Sequence, residues 1–582
     1  MTVEDDEMHD VVVVGAGPVG LMLANILGMY GRSVAVLEAG DDLIDYPRGV
    51  GLDDESFRTI QTVGLVETVL PHTTPHHIMR LVNGVGNVLL VNDPATTEFG
   101  WGRKHGFIQP EVDRALLNGL RRFDDVVVLF GHNVFEVAED EESVTVTARV
   151  KSADGSTAER RVRARYLVGC DGGKSPTRKR LGIGFDGHSP STRWLVIDVA
   201  NDPLGTPNVF LGADHRRPYV SIGLPHAVRR FEFMLYDGET DEMVTDQRFV
   251  NSLLAEHVRD PAALTYIRRR VFTHHARVAT DFRRGRQLLA GDAAHLMPVW
   301  LGQGWNSGMR DATNLGWKLA TVLSGQADDA LLDTYSDERR DHARAMVDLS
   351  LTFGRFIAIT NPVLARARDA ASALLNLSPR VKSYFADMRF KPMPRYTRGV
   401  VADPTTMQPG VAAPRLTSRQ VAVRTANIRQ SPVGVQFPQP RVTTETHTDV
   451  LLDDVIGPWW AVVAWGNNPH DLLPPKSLDA LHALGARLVA VVPENQREWL
   501  QAEWGQKRPS TNLLVVGDHT AALKRWFDDR PTPLIFVRPD RFVAGACLAQ
   551  DAPATLDAIL TAMSFTGAAT APATAQRVGL HA

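Results

Sequence analysis

The chain has 582 residues, 44% of them hydrophobic, with 63 Lys and Arg against 67 Asp and Glu and a formal net charge of −4. That length permits several packed layers and more than one domain, and the even charge balance gives no basis for nucleic-acid binding. Two cysteines, Cys170 and Cys547, are too few for a disulfide framework or a zinc cluster, so no metal site is expected. No run of about 18 apolar residues argues for a membrane span. The opening MTVEDDEMHD is acidic and lacks the apolar core of a signal peptide, and the expected location is the cytoplasm.

Residues 11–20 read VVVVGAGPVG, and Glu38 closes the next apolar run, SVAVLE. A strand, a glycine turn, a helix and a second strand ending in an acid have the spacing of a dinucleotide-binding βαβ unit. Gly15 allows the tight turn, Gly17 lets the backbone approach a pyrophosphate, and Gly20 lets the helix pack on the sheet. Pro18 stands at the first helical position, and the helix N-terminus offers N–H groups to phosphates. Glu38 stands where a carboxylate accepts ribose hydroxyls.

Further along, QPEVDRALLNGLRRF reads as a helix with Val112, Leu116, Leu117 and Leu120 on one face. VVVLFG and EESVTVTARVK read as strands. The run YLVGCDGGKSPTR carries a strand into Asp171-Gly172, and RQLLAGDAAHLMP carries another into Gly291-Asp292. Each puts an Asp at the carboxyl end of a strand, where ligands collect in open α/β sheets, although Asp-Gly is also a common turn.

Taken in this order, the GxGxxG, DG and GD segments resemble those of the FAD-dependent class A aromatic monooxygenases, the p-hydroxybenzoate hydroxylase-like family. IDYPRGVGLDDES, VLPHTTP, RPYVSIGLPHAVRRFEFM, AGDAAHLMPVWLGQGWNSGMRDATNLGWKLA, MRFKPMP and RPDRFVAGAC extend the likeness. They are similar to a subgroup of that family, the hydroxylases of 3-(3-hydroxyphenyl)propionate and 3-hydroxycinnamate.

The resemblance implies bound FAD, with NADH (NADPH remaining open) as a transient co-substrate and O₂ as oxidant. It implies ortho-hydroxylation of a small aromatic acid to a 2,3-dihydroxyphenyl product through a flavin C4a-hydroperoxide, a step of phenylpropanoid catabolism. It places Asp292 and Gly291 at the ribityl-pyrophosphate, Asp171 at the FAD and the approaching nicotinamide, and Arg48 and Gln109 at the flavin. Trp300 is a candidate at the substrate, Pro298, Gly302 and Gly304 would border the flavin ring, and Gln303, Trp305 and Asn306 are candidates for direct contact there, with ordinary loop packing as the alternative. An N–H pair there would hold a developing flavin anion.

The substrate contacts stay open. His226 is a candidate proton relay for the phenol, with Tyr219 and His295 as alternatives. Arg193, Arg217, Arg229 and Arg230 are the candidate cations for the acid group, where a bidentate Arg would suit a carboxylate best, and the sequence does not choose among them.

The expected fold class is α/β: a Rossmann-like FAD domain from 1–75, 105–189 and 276–350, with an inserted β-rich substrate domain from 76–104 and 190–275. RWLVIDVA, RPYVSIGL and RRFEFMLY are its strands, and helices follow from 307 to about 350. A helical connection covers 351–397. Residues 398–440, rich in Pro, Thr, Gln and Gly, read as a linker. The four apolar runs PWWAVVAWG, ARLVAVVPE, TNLLVVGD and TPLIFVRPDRFVAGA place a small domain at 441–568. It resembles the thioredoxin-like tail of several such hydroxylases but has no CxxC, and it offers a homodimer surface. Residues 569–582 read as a flexible tail.

Rival readings are a related hydroxylase acting on a larger polyketide or antibiotic ring, and a non-catalytic FAD-binding sensor. A flavin halogenase would need a WxWxIP stretch, and the chain has none.

Overall fold

The strand Thr2–Val14 lies between two parallel partners, Val34–Leu37 and Thr157–Gly169. Val126–Leu129 and Gln287–Leu289 extend the parallel set outward. Arg283–Arg284, His132–Glu139 and Val144–Lys151 complete eight strands in antiparallel pairing. This computed structural model describes residues 2–151, 157–402, 431–507, 513–530 and 532–567.

A parallel strand covered on both faces must be apolar throughout rather than alternating. Val11, Val12 and Val13 accordingly have no exposed surface. The helix Pro18–Met29 follows the glycine turn and packs beside the long helix Gln303–Leu323. Their close crossing depends on Gly316, where a Cβ would stand 2.5 Å from Ile26 Cγ2. The long helix starts at Gln303, four residues before the expected 307, because Gly302 reverses the chain in a left-handed conformation at its N-cap. A second helix, Asp333–Ile357, follows.

A seven-stranded sheet stands over the carboxyl ends of the first. Its order is Thr265–Thr273, Arg193–Ala200, Val228–Leu235, Tyr219–Leu224, Val209–Ala213, Met79–Asn83 and Val88–Asn92. The last two strands come from the segment before the main insertion and join by parallel pairing of Met79–Asn83 with Val209–Ala213. Side chains alternate between two environments, as strand geometry requires. Leu195, Ile197, Val199, Phe231 and Phe233 pack under the helix Gln247–Leu254, while Val196, Val220, Ile222, Arg230 and Glu232 face a cavity.

Helices Pro362–Leu375 and Pro379–Ala386 form the connection. The described ends of the expected linker are packed: Val400 and Phe437 are fully buried, and the Ala402 amide donates to Ala544 O at 2.6 Å. Residues 403–430 and the expected tail 569–582 lie outside the described residues.

Five strands form the C-terminal sheet, in the order Leu513–Asp518, Arg487–Pro493, Ala461–Trp465, Leu534–Val537, Val543–Cys547. The first three are parallel and the last two antiparallel. With the helices Pro475–Leu484 and Ala552–Ala562 this is a thioredoxin-like βαβ–ββα arrangement with one added edge strand. The fourth apolar run therefore makes two strands, reversed where Arg541 takes a positive φ. Buried ion pairs seal this domain to the rest, including Arg58–Asp453 at 2.6 Å and Arg538–Glu338 at 2.7 Å.

Candidate active site

One cavity of about 1210 Å³ runs from the glycine turn at Gly15 to the inner face of the seven-stranded sheet. Single-ligand pockets span about 300–1,000 Å³, so this one has room for a dinucleotide and a second small molecule.

The turn is built by sterics. Gly15 has φ +109°, and a Cβ there would stand 2.6 Å from Cys170 O. At Gly20 a Cβ would meet Gly15 O at 2.1 Å, so helix and turn interlock. Gly17 differs: a Cβ there would meet no protein atom within 4 Å, because its α-carbon faces the cavity. The first-turn amides of the helix Pro18–Met29 lack intrahelical acceptors and carry the positive end of its dipole. The Glu38 carboxylate braces the turn, Oε2 accepting from the Ala16 amide and Oε1 from the Gly40 amide, both at 2.8 Å. It still lines the cavity. An open backbone, a helix N-terminus and an acid at the second strand suit a pyrophosphate and a ribose.

Asp292 also lines the cavity, and burial raises its carboxyl above the usual range despite the nearby Arg48 and His295. No hydrogen bond to its side chain is made by the described residues, so a ligand hydroxyl has an acceptor there. Asp171 lines the cavity too, and its carboxylate also caps the helix Pro176–Arg180, accepting from Ser175 Oγ and from the Thr177 amide at 2.9 Å.

The middle of the cavity is bordered by two loops. Gln109 Oε1 accepts from the Arg48 and Gly49 amides at 3.0 and 2.7 Å, and its Nε2 donates to Asp113 at 3.0 Å. Burial pushes the Asp113 carboxyl up to about 7. Asn306 ties the other loop: Nδ2 donates to Gly51 O and Gly302 O, and Oδ1 accepts from the Asp53 amide and Ser56 Oγ. Its side chain is therefore a strut with nothing left for a ligand. Gly302, Gln303, Gly304 and Trp305 line the cavity at the start of the long helix, so a second helix N-terminus opens on the same space.

The far chamber is walled by Val209, Leu211, Val220, Ile222, Phe272 and Trp300. Trp300 is held edge-on by Trp194 at 4.9 Å and His274 at 5.0 Å. Burial pulls His77 and His274 down to about 4, so both imidazoles are neutral at pH 7. His77 and Lys104 also border this end, and neither stood out in the sequence.

Several expected contacts are corrected. Tyr219 precedes Val220 on its strand and so points to the opposite face, with its ring 4.2 Å from His257. Arg229 is likewise on the outer face, bonded to Asp202 at 2.8 and 2.7 Å, while Arg230 takes the inner one. His226 and Ala227 both have positive φ as the central pair of the Pro225–Val228 turn, which the Val228 amide closes on Pro225 O at 3.3 Å. His226 sits exposed at that tip, 3.2 Å from His72 and off the cavity. Pro298 is buried behind the Val299–Leu301 turn rather than lining the space. Gly291 accommodates Val19, whose Cγ2 would be 2.7 Å from an added Cβ. His295 pairs with Asp311 at 2.6 Å in the core. Arg193 pairs with Asp241, and Arg217 pairs with Glu239 at 2.7 Å.

Residues 8–350 match the FAD binding domain family, and residues 434–562 match the HcaD C-terminal domain family. A 3-(3-hydroxy-phenyl)propionate/3-hydroxycinnamic acid hydroxylase of Mycobacterium avium (strain 104) is 51% identical, over 96% of this chain and 93% of its own. The Escherichia coli O81 (strain ED1a) protein of the same name is 46% identical, over 96% of this chain and 95% of its own. In fold, the chain is similar to the flavin-dependent monooxygenase PieE, solved with FAD and substrate, with a TM-score of 0.76 at 20% identity over 96% of this chain and 99% of that one. The chain belongs to the family of FAD-dependent aromatic monooxygenases that includes these hydroxylases, and it is an enzyme that binds FAD.

Proposed function

We propose that this enzyme hydroxylates 3-(3-hydroxyphenyl)propionate and 3-hydroxycinnamate ortho to the phenol, giving the 2,3-dihydroxyphenyl acids, with NADH and O₂ as co-substrates. The observation that carries the reading is the continuity of one cavity from the glycine turn to a chamber walled by Val209, Leu211, Val220, Ile222, Phe272 and Trp300, in a chain 51% identical to a hydroxylase of that name. Bound FAD supplies hydride acceptance from the nicotinamide and activation of O₂.

The residues divide the remaining work. Gly17 and the amides beginning the helix Pro18–Met29 hold the pyrophosphate, and Glu38 accepts ribose hydroxyls. Asp292 accepts from the ribityl chain. The amides at Gln303–Trp305 donate to the electron-rich edge of the flavin, with the helix dipole behind them. Trp300, Phe272 and the Val220–Ile222 face hold the aromatic ring and exclude water. The sequence has one dinucleotide fingerprint, so NADH visits transiently.

Anaerobic mixing of the flavoenzyme with NADH tests this reading. Flavin reduction is expected to accelerate when 3-(3-hydroxyphenyl)propionate is present. Reduction at one rate with or without the acid counts against it as the substrate.

A further inference from the structure

Lys104 lines the far chamber and has no carboxylate partner among the described residues; Arg48 and Arg270 lack one too, but both engage the Tyr46 phenol, with the Arg270 guanidinium 4.8 Å from its ring. Arg230 bonds Asp198 at 2.8 and 3.1 Å, and Arg268 meets the same carboxylate at 3.0 Å. Lys391 bonds Asp53 at 2.9 Å and Glu55 at 3.2 Å, and Arg103 bonds Asp54 at 3.0 Å. The Lys104 ammonium has only the Met79 thioether, at 3.9 Å. A thioether is a weak acceptor, so this half-buried charge is poorly compensated within the protein. Burial, with Lys391 nearby, accordingly pulls the lysine down to about 8, which leaves it mostly protonated at pH 7.

The placement follows from strand geometry. Lys104 precedes the strand His105–Phe107 and reaches toward Met79, which pairs in register with Val209 on the apolar wall. Its partner-free ammonium thus borders the surface that would hold the aromatic ring. A charge of this kind is costly unless a ligand completes it.

We propose that Lys104 anchors the substrate's side-chain carboxylate, selecting aryl-propionates and aryl-acrylates over neutral phenols. This rests on the hydroxylase reading given above. The anion binds without displacing any existing ion pair, in contrast to what Arg230, Arg268 or Lys391 would require.

The test is a titration of the FAD-loaded enzyme followed by flavin absorbance, with 3-(3-hydroxyphenyl)propionate and with 3-propylphenol, which lacks the acid. Lys104→Met is expected to weaken the acid by about 30-fold or more, the scale for removing one partner of a buried charge pair. The same variant should bind 3-propylphenol at least as well as the parent does. Lys104→Arg should keep the acid within about tenfold. Unchanged acid affinity in Lys104→Met, or equal loss of both ligands at full flavin content, overturns the assignment. A parent enzyme that responds to neither ligand overturns the substrate reading itself, and the anchor with it, before any variant is examined.

Discussion

Arg538 reaches from the C-terminal domain onto Glu338 of the helix Asp333–Ile357, with nitrogen–oxygen distances of 2.8 and 2.7 Å and both side chains fully buried. Asp540 and Lys318 complete the cluster. Burial alone would raise the Glu338 carboxyl, but Arg538 and Lys318 outweigh it and bring it to about 2. Removing one partner of such a pair strands the other charge at a cost of about 3–5 kcal/mol. Arg538→Met is therefore expected to lower unfolding free energy by that order in urea melts, whereas a change below about 0.5 kcal/mol would show that the seam does not hold the domains together.

Two glycines of the fingerprint should fail differently. Gly15→Val forces a side chain into Cys170 O at a backbone angle that L residues rarely adopt, so it should damage folding and flavin binding together. Gly17→Val meets no protein atom and should leave a folded chain that has lost FAD. Circular dichroism with flavin content after purification separates the cases, and full flavin in Gly17→Val would contradict the pyrophosphate assignment.

Asp113 gives a pH signature. Its folded-state value of about 7 lies above that of the unfolded chain, so its contribution is fully present below about pH 4. That contribution is lost as pH rises to 7, at up to about 1.4 kcal/mol per unit. Asp113→Asn should flatten this decline and gain stability relative to the parent at pH 8 compared with pH 4. An equal difference at both pH values would mean that the carboxyl does not titrate as described.

His226→Ala should leave product formed per NADH within about twofold of the parent, since exposed substitutions away from a site shift free energies by roughly 0.5 kcal/mol or less. A large selective loss of hydroxylation would bring the hairpin tip back into the reaction.

The local parts of this site are readable from sequence because they are contiguous. VVVVGAGPVG and Glu38 sit within one βαβ unit, and spacing alone carries their geometry. The chamber is harder, because period-two alternation sorts Tyr219 from Val220 and Arg229 from Arg230 without saying which set faces inward. That choice depends on the helix Gln247–Leu254 covering the outer face. Lys104, in WGRKHGF, carries no motif: what distinguishes it is an ammonium whose one contact is the Met79 thioether, which only the assembled structure displays. Asn306 shows the reverse, a residue in a suggestive loop whose four hydrogen bonds all serve the protein.

The most direct test of the whole account is product analysis by mass spectrometry and NMR, with the FAD-loaded enzyme, NADH, air and 3-(3-hydroxyphenyl)propionate. The account predicts NADH consumption that rises with the acid and a product heavier by one oxygen, hydroxylated at ring position 2. Stimulated NADH loss yielding only hydrogen peroxide, or a hydroxyl at another ring position, would contradict it.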